Sequence, residues 1–237
     1  MKVCAFLTDG FETVEALAVV DILRRADIKT DVISITGDIN VKSAQGVIVQ
    51  ADELLDEYVF EGDELLFLPG GPGHKSYYDC KDLLELLKEY NKKNNRIAAI
   101  CAAPSVLGNL GLLDGKKAMA FPGFEDQLNG ATVVTAPERV VTDGNITTSR
   151  GMGTSIDLGL ELVRLIKGEE LAEKLSVSRQ AVAKWKSGQV YPEITNLIQI
   201  SNLLDAGSEE VFCTILLWCF PGLFPKYRCE ITLTGKR

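Results

Sequence analysis

Apolar strand-like runs alternate with amphipathic helical patterns through residues 1–167, and this alternation constrains the fold more than any other feature. The run KVCAFLT at 2–8 is followed by ETVEALAVVDILRRA, whose apolar residues recur at helical spacing. ELLFLPGG and RIAAIC each read as a buried strand that ends in a turn. Strands that alternate with helices form a mostly parallel sheet covered on both faces. We therefore predict an α/β domain for residues 1–167.

The length and charge of the chain limit its partners. A chain of 237 residues is long enough for one large domain and a small module, and its net charge of −8 opposes broad attraction to nucleic acid or anionic lipid. No stretch reaches the ~18–20 apolar residues of a membrane span. The first residues lack the long apolar run of a secretory signal, so we expect a cytoplasmic protein with reduced thiols and no membrane partner.

Cys101 directly follows the predicted strand RIAAI and precedes the predicted helix APSVLGNLG. A thiol at a strand-to-helix turn lies near backbone N–H groups and the positive end of the helix dipole, which favour the reactive thiolate. The turn is similar to the nucleophile elbow of hydrolases, with sulfur in place of the hydroxyl oxygen. The alternative is a buried core cysteine, which is a common environment for free thiols.

Glu12 is a candidate proton-transfer partner for this thiol. Gly10 ends the first predicted strand and Glu12 opens the first predicted helix, so Glu12 lies at the same edge of the sheet as Cys101. A carboxyl group beside a thiol can hydrogen-bond the sulfur or move a proton. The alternative is a first-turn glutamate that only complements the helix dipole.

Four segments occur in the order and spacing of one protein family: FETVEAL at 11–17, LPGG at 68–71, AAICAAPSVL at 98–107 and TSRGMGTSIDLGLELV at 148–163. Together they resemble the ThiJ/PfpI superfamily, in the branch that contains the Parkinson-disease-associated deglycase. The resemblance covers residues 1 to about 167. It implies a flavodoxin-like sandwich that is usually a homodimer.

The resemblance also implies roles for individual residues. Cys101 would be the reactive cysteine, and Glu12 its protonated partner carboxyl group. The backbone N–H groups of Gly71 and Ala102 would form an oxyanion hole. We predict no cofactor and no metal, because no cluster of His, Cys and Asp has metal-ligand spacing and LPGGPG lacks the lysine of a phosphate loop.

This chain departs from the family pattern at one position. Many members place a histidine near the cysteine, where this chain has Phe121. The only histidine of the chain is His74, in GGPGHKS just after the glycine turn. We predict Gly70, His74 and Phe121 as residues of the substrate pocket. The alternative for His74 is a solvated loop position.

Residues 168–207 are predicted to form a small all-α piece, because only helical patterns follow Gly168. The segment VSRQAVAKW is similar to the helix-turn-helix of phage-repressor (Cro/CI-type) regulators, in which such a helix enters the major groove of DNA. The resemblance implies five DNA-contacting residues: Ser178, Arg179, Gln180, Lys184 and Lys186. Against DNA binding, this stretch carries more acidic than basic residues, and the helix LELVRLIKG is already required by the preceding domain.

Residues 208–237 form an apolar tail with three cysteines that fits neither family. A dimer segment, a segment that packs on the preceding helices and a remnant of a gene fusion all remain open for it.

The leading functional prediction is a cysteine-dependent enzyme of the glyoxalase or deglycase type, which the resemblance implies. Its substrates would be methylglyoxal-like aldehydes or their early protein adducts, and a glyoxalase III-like hydro-lyase would be the enzyme class. A Cys–Glu pair can add a thiol to an aldehyde and move a proton between adjacent carbons. The alternative is a redox- or electrophile-sensing transcriptional regulator, in which Cys101 oxidises to a sulfinate and the C-terminal helices bind DNA. A chaperone-like protein or a vestigial fusion without turnover is the third hypothesis.

Overall fold

The computed structural model describes residues 1–169 and 171–172. Residues Met1–Glu169 form one compact unit, and the chain from Glu170 onward belongs to a second unit. The strands of the described region are β1 (Val3–Leu7), β2 (Thr30–Ser34), β3 (Asn40–Lys42), β4 (Ile48–Gln50), β5 (Glu53–Leu54), β6 (Leu65–Leu68), β7 (Ile97–Ile100), β8 (Lys117–Ala118), β9 (Thr132–Val133), β10 (Val140–Asp143) and β11 (Ile146–Ser149). The α-helices of that region are α1 (Thr13–Arg25), α2 (Lys81–Lys92), α3 (Pro104–Asn109) and α4 (Ser155–Lys167).

A central sheet organises the first unit. In the described part of the chain it contains seven strands in the order β10–β11–β7–β6–β1–β2–β5. All neighbouring strands are parallel except β10 and β11, which form an antiparallel pair at one edge. The strands β2, β1, β6, β7 and β11 lie side by side in the 2-1-3-4-5 order of flavodoxin-like folds. The predicted flavodoxin-like sandwich with a mostly parallel sheet is therefore confirmed.

Helices cover both faces of this sheet. On one face, Phe6 of β1 belongs to a buried cluster that includes Leu87 of α2 and Val106 of α3. On the other face, α1 and α4 pack against each other. A Cβ atom at Gly159 would lie 3.0 Å from Cδ1 of Ile22, so the glycine lets these two helices approach closely. Apolar side chains are buried on both faces of the sheet, which explains why the sequences of β1, β6 and β7 are continuous apolar runs.

One edge of the central sheet is a hairpin. β10 pairs with β11 in antiparallel register, and Gly144 in the turn between them has a φ of 61°. The strand β9 contains only Thr132–Val133, both exposed, and pairs with β8 outside the central sheet.

The turns that follow β1, β6 and β7 meet at the carboxyl edge of the sheet. The order of connection reverses between β1 and β6, and ligands of open α/β sheets bind at such a switch point. Backbone hydrogen bonds join the two turns there, because the Glu12 N–H donates to the Gly70 carbonyl at 2.9 Å and the Gly73 N–H donates to the Gly10 carbonyl at 2.9 Å. The sheet topology therefore places Cys101 beside residues that lie far from it in the sequence.

Candidate active site

Cys101 adopts a strained backbone conformation at the end of β7. Its φ of 64° lies in the left-handed region, which costs a non-glycine residue on the order of 1–3 kcal/mol. Hydrogen bonds hold the turn on both sides: the Cys101 N–H donates to the Ser149 carbonyl at 3.0 Å, and the Phe121 N–H donates to the Cys101 carbonyl at 2.8 Å. The surrounding structure thus fixes the position of the thiol beyond the edge of the sheet.

Glu15 is the carboxyl group in contact with this thiol. It lies in the first turns of α1, is 1% exposed, and makes a side-chain hydrogen bond with Cys101. The Gly70 N–H donates to Oε2 of Glu15 at 3.1 Å, and the backbone N–H of Met152 also hydrogen-bonds the carboxyl group. Burial and the charge of Glu12 raise the pKa of Glu15, these hydrogen bonds lower it, and the net result is a pKa of about 7. Glu15 therefore exchanges its proton near neutral pH.

Glu12 is the partner carboxyl group expected from the sequence, but in the structure the thiol of Cys101 pairs with Glu15. Glu12 precedes the first helical residue, and its Oε2 accepts a hydrogen bond from Nε2 of Gln45 at 2.8 Å. Glu15 lies one turn later on the buried stripe of α1, which also contains Ala16, Val19, Val20 and Leu23. The sequence signal for Glu15 is a carboxyl group on an otherwise apolar helix face.

Gly70 makes room for the Cys101–Glu15 pair. A Cβ atom at position 70 would lie 2.5 Å from Cβ of Cys101 and 2.7 Å from Oε2 of Glu15. Any larger residue would therefore separate the thiol from the carboxyl group. Gly70 was predicted as a pocket residue, and its position beneath the pair gives a steric reason for a glycine there.

Two backbone N–H groups interact with the sulfur atom. The N–H groups of Gly71 and Ala102 hydrogen-bond the Cys101 side chain. The pKa of the thiol is nevertheless raised to about 12, first by burial and then by the negative charge of Glu15, in contrast to the lowered pKa that the sequence predicted. When the pair holds a single proton, the negative charge can lie on sulfur only if Glu15 carries that proton. Thiol and carboxyl group therefore act as one acid–base unit.

A cavity of about 660 Å³ opens above this unit. That volume lies within the range of about 300–1,000 Å³ that is typical of small-molecule sites. Ionisable and polar groups on its wall include Glu12, Glu15, Gln45 and His74, and the remaining wall is mainly apolar. The apolar lining residues include Val14, Val47, Phe121, Phe124 and Met152. Such a cavity can hold a small carbonyl compound with an apolar substituent.

His74 is buried in the wall of this cavity, so the alternative of a solvated loop position was wrong. It is 5% exposed and lies in a short 3-10 helix, Pro72–Tyr78. Its ring contacts the ring of Phe124 edge to face, with centroids 5.2 Å apart, and Nδ1 lies 2.9 Å from the Gly71 carbonyl oxygen. Burial lowers the pKa of His74 below its ordinary value, so the imidazole is neutral at neutral pH.

Phe121 lies at the mouth of the same cavity and is 47% exposed. Cδ2 of its ring would be 3.2 Å from a Cβ atom at Gly151, so the glycine accommodates the ring. The described residues contain no group of three His, Cys, Asp or Glu side chains arranged to hold a metal ion. Cys4, Cys80 and Cys101 are free thiols, and no helix in this region is long and apolar enough to span a membrane.

The predicted DNA-contacting residues lie outside the described part of the chain. These are Ser178, Arg179, Gln180, Lys184 and Lys186. The apolar tail at 208–237 also lies outside it.

The fold and the site together define a class of protein: a flavodoxin-like α/β domain with a strained cysteine and a buried glutamate at the carboxyl edge of the sheet. Family comparison gives the same result, because residues 1–165 match the DJ-1/PfpI family model. The chain belongs to the DJ-1/PfpI family. Residues 164–211 match a helix-turn-helix family model, so the second resemblance seen in the sequence is also confirmed. The two matched regions meet within α4, which ends at Lys167.

Relatives of known sequence and structure match the first unit. Protein DJ-1 homolog A of Arabidopsis thaliana is 39% identical over 173 residues, which are 72% of this chain and 44% of that protein. The chain thus spans less than half the length of this relative. Protein dj-1beta of Drosophila melanogaster is 33% identical over 72% of this chain and 91% of its own length. The structure of oxidized Toxoplasma gondii DJ-1 aligns with a TM-score of 0.68 and 33% identity, covering 74% of this chain and 96% of that one.

Proposed function

We propose that this protein is a cysteine-dependent enzyme of the glyoxalase or deglycase type that acts on methylglyoxal-like aldehydes or their early protein adducts. The observation that carries the proposal is the hydrogen-bonded Cys101–Glu15 pair at the floor of the cavity. A thiol that shares its proton with a buried carboxyl group can become a nucleophile without a separate base. We place the protein in the cytoplasm as part of this proposal.

The reaction begins when the sulfur atom of Cys101 attacks the aldehyde carbon. The thiol proton passes to Glu15, the S–C bond forms, and the carbonyl electron pair moves to oxygen. Glu15 then gives the proton to that oxygen, which yields a hemithioacetal. The N–H groups of Gly71 and Ala102, which hydrogen-bond the thiol, are close enough to stabilise the developing oxyanion.

Conversion to lactate needs only a proton transfer and water. The proton on the former aldehyde carbon moves to the adjacent carbon, which is reduced while the aldehyde carbon is oxidised. The product is a thioester of lactate on Cys101. Water hydrolyses the thioester, and the thiol is regenerated with no external oxidant or reductant.

The test measures methylglyoxal consumption and lactate formation for the wild type and three variants. We expect Cys101→Ser to abolish turnover and Glu15→Gln to lower it by about 100-fold or more, because a positioned acid–base group contributes that much. Glu12→Gln makes the same chemical change in the same cavity, and we expect it to retain most of the activity. Loss of turnover in Glu12→Gln alone would return the catalytic role to Glu12.

A redox- or electrophile-sensing regulator is the second candidate function. The match of residues 164–211 to a helix-turn-helix family favours it, and the structure of the Toxoplasma gondii relative is of an oxidized protein. Gel shifts with random DNA duplexes, using reduced and peroxide-treated protein at low salt, test this candidate. Enrichment of a sequence by one redox form supports the regulator, and the absence of any enrichment eliminates it.

The oligomeric state proposed from the family is a homodimer. Val14 of α1 and Val47 and Ile48 near β4 are large apolar residues exposed in the single chain. Val14 and Val47 lie at the cavity, so a second copy on this surface would narrow the entrance to the site. Sedimentation velocity of the full chain tests this, since a monomer at micromolar concentration contradicts it.

A further inference from the structure

The proposed reaction requires a base that removes a proton from carbon, and the described residues offer few candidates. Among those that line the cavity, four have ionisable side chains: Glu12, Glu15, His74 and Cys101. Cys101 is the nucleophile, and Glu15 is engaged with the sulfur atom and with the Gly70 N–H. Glu12 accepts a hydrogen bond from Gln45. His74 is the remaining group.

The hydrogen bond of His74 determines which ring nitrogen is free. Nδ1 lies 2.9 Å from the Gly71 carbonyl oxygen, which can only accept a hydrogen bond. Nδ1 of the neutral imidazole must therefore carry the hydrogen atom, and Nε2 holds the unshared electron pair. Among the described residues, Nε2 has no hydrogen-bond partner. A neutral imidazole with a free Nε2 in the wall of a cavity is suited to general base catalysis.

The surroundings of His74 keep the ring neutral and fixed. The ring of Phe124 contacts the imidazole ring of His74 edge to face. The centroid of the Tyr78 ring lies 6.3 Å from the centroid of the imidazole. Burial disfavours the imidazolium ion, and the positive charge of Lys75 disfavours it further, whereas the hydrogen bond to the Gly71 carbonyl favours it. The net effect lowers the pKa of His74, so the imidazole starts neutral and can take up a proton from the substrate.

We propose that His74 is the proton carrier of this site, whose Nε2 removes the proton from the hemithioacetal carbon and returns it to the adjacent carbon. This inference rests on the proposed function. The electron pair of the broken C–H bond forms a carbon–carbon double bond, and the carbonyl electrons of the adjacent carbon move to its oxygen. The imidazolium then protonates the adjacent carbon, and the hydroxyl proton of the first carbon moves to the neighbouring oxygen. The result is the lactate thioester, with atoms and electrons balanced.

Many family members place a histidine at the position that Phe121 occupies in this chain. His74 would take the place of that histidine from a different wall of the cavity. The same ring also donates to Gly71, whose N–H hydrogen-bonds the thiol. A purely structural role for His74 would act through this contact. The two roles can be separated, because they use different nitrogen atoms of one ring.

His74→Asn is the variant that separates them. The asparagine amide can still donate to the Gly71 carbonyl from near the position of Nδ1, but it has no base at the position of Nε2. We expect kcat with methylglyoxal to fall by about 100-fold or more. We expect the alkylation rate of Cys101 by iodoacetamide to stay unchanged. With methylglyoxal deuterated at the aldehyde carbon, the isotope effect on kcat should rise, because removal of that proton becomes rate-limiting.

The outcomes distinguish failure of this inference from failure of the proposed function. A wild type that turns over methylglyoxal and an equally active His74→Asn variant overturn the role of His74 and leave the proposed function intact. A wild type without turnover overturns both. An independent readout is nitrogen NMR of the untagged full chain, whose single histidine gives unambiguous imidazole signals. We expect the Nδ1–H tautomer and a change in the Nε2 signal on alkylation of Cys101, and an Nε2–H tautomer would refute the inference.

Discussion

Glu15 and Cys101 share a hydrogen bond at the carboxyl edge of the sheet, and the backbone of Gly70 closes the space between them. The glutamate comes from α1, the glycine follows β6 and the cysteine follows β7. Because Glu15 is buried and Cys101 is half-buried beside it, each group affects the charge of the other. This coupling leads to opposite expectations for simple thiol reactivity and for turnover.

Glu15→Gln should increase thiol reactivity above pH 8 while it decreases turnover. The substitution removes the carboxylate charge, one of the causes that raise the pKa of Cys101, so the thiolate forms at lower pH. Turnover falls because glutamine cannot relay the thiol proton to the substrate oxygen. Alkylation by iodoacetamide across a pH series, followed by intact mass, measures the first effect. Slower alkylation of Glu15→Gln than of wild type at pH 9 contradicts this prediction.

The cysteine that reacts must be identified for this measurement. Cys80 is half-buried and is the matched control, so Cys80→Ser should leave the pH profile of Cys101 unchanged. Peptide mapping after alkylation assigns the label to one residue. A label that remains in Cys101→Ser comes from another thiol and is subtracted.

Gly70→Ala should separate the pair without removing either group. The added methyl carbon would lie 2.5 Å from Cβ of Cys101 and 2.7 Å from Oε2 of Glu15, well inside van der Waals contact. We expect a loss of stability of about 1–3 kcal/mol from overpacking and a loss of turnover. Chemical denaturation and methylglyoxal consumption measure the two effects. A Gly70→Ala variant as stable and active as wild type would show that the pair tolerates displacement.

The sequence predicts the sheet and the cysteine well because both depend on local patterns. Buried parallel strands produce apolar runs, and Cys101 lies directly at the end of one such run. The partner carboxyl group is harder to predict, because Glu12 and Glu15 both lie at the start of α1 and only the buried face of the helix distinguishes them. Glu12 precedes the helix, whereas Glu15 faces the sheet.

The burial of His74 could not be predicted from the residues around it. GGPGHKS contains glycine, proline and polar residues, which are typical of an exposed loop. Phe124, distant in sequence, covers the imidazole, and the hydrogen bond to Gly71 requires the turn after β6. Contacts of this kind depend on the completed fold.

The left-handed backbone at Cys101 should make glycine more stabilising than alanine at this position. Both substitutions remove the thiol, but only glycine adopts a φ of 64° without strain. The greater freedom of glycine in the unfolded chain partly offsets this release of strain. We therefore expect the unfolding free energy of Cys101→Gly to be about 1 kcal/mol higher than that of Cys101→Ala. Urea denaturation of the two variants measures the difference. A less stable glycine variant would show that the turn carries no strain.

Glu15 should also make the stability of the protein depend on pH. Its pKa rises from 4.5 to about 7 on folding, so between these values the folded state binds more protons than the unfolded state. Stability contributed by the protonated carboxyl group is therefore fully present below pH 4.5 and is lost as the pH rises through 7. The full effect is on the order of 3 kcal/mol, because each pKa unit corresponds to about 1.4 kcal/mol.

Glu15→Gln isolates this contribution because glutamine has nearly the same shape and does not titrate. We expect the unfolding free energy of wild type relative to Glu15→Gln to decrease between pH 4.5 and 7 and to level off above that range. Urea denaturation at half-unit pH steps measures the difference curve, in which titrations common to both proteins cancel. If Glu15→Gln gives a flat difference curve, Glu15 is ionised in the folded protein throughout this range and cannot share a proton with Cys101.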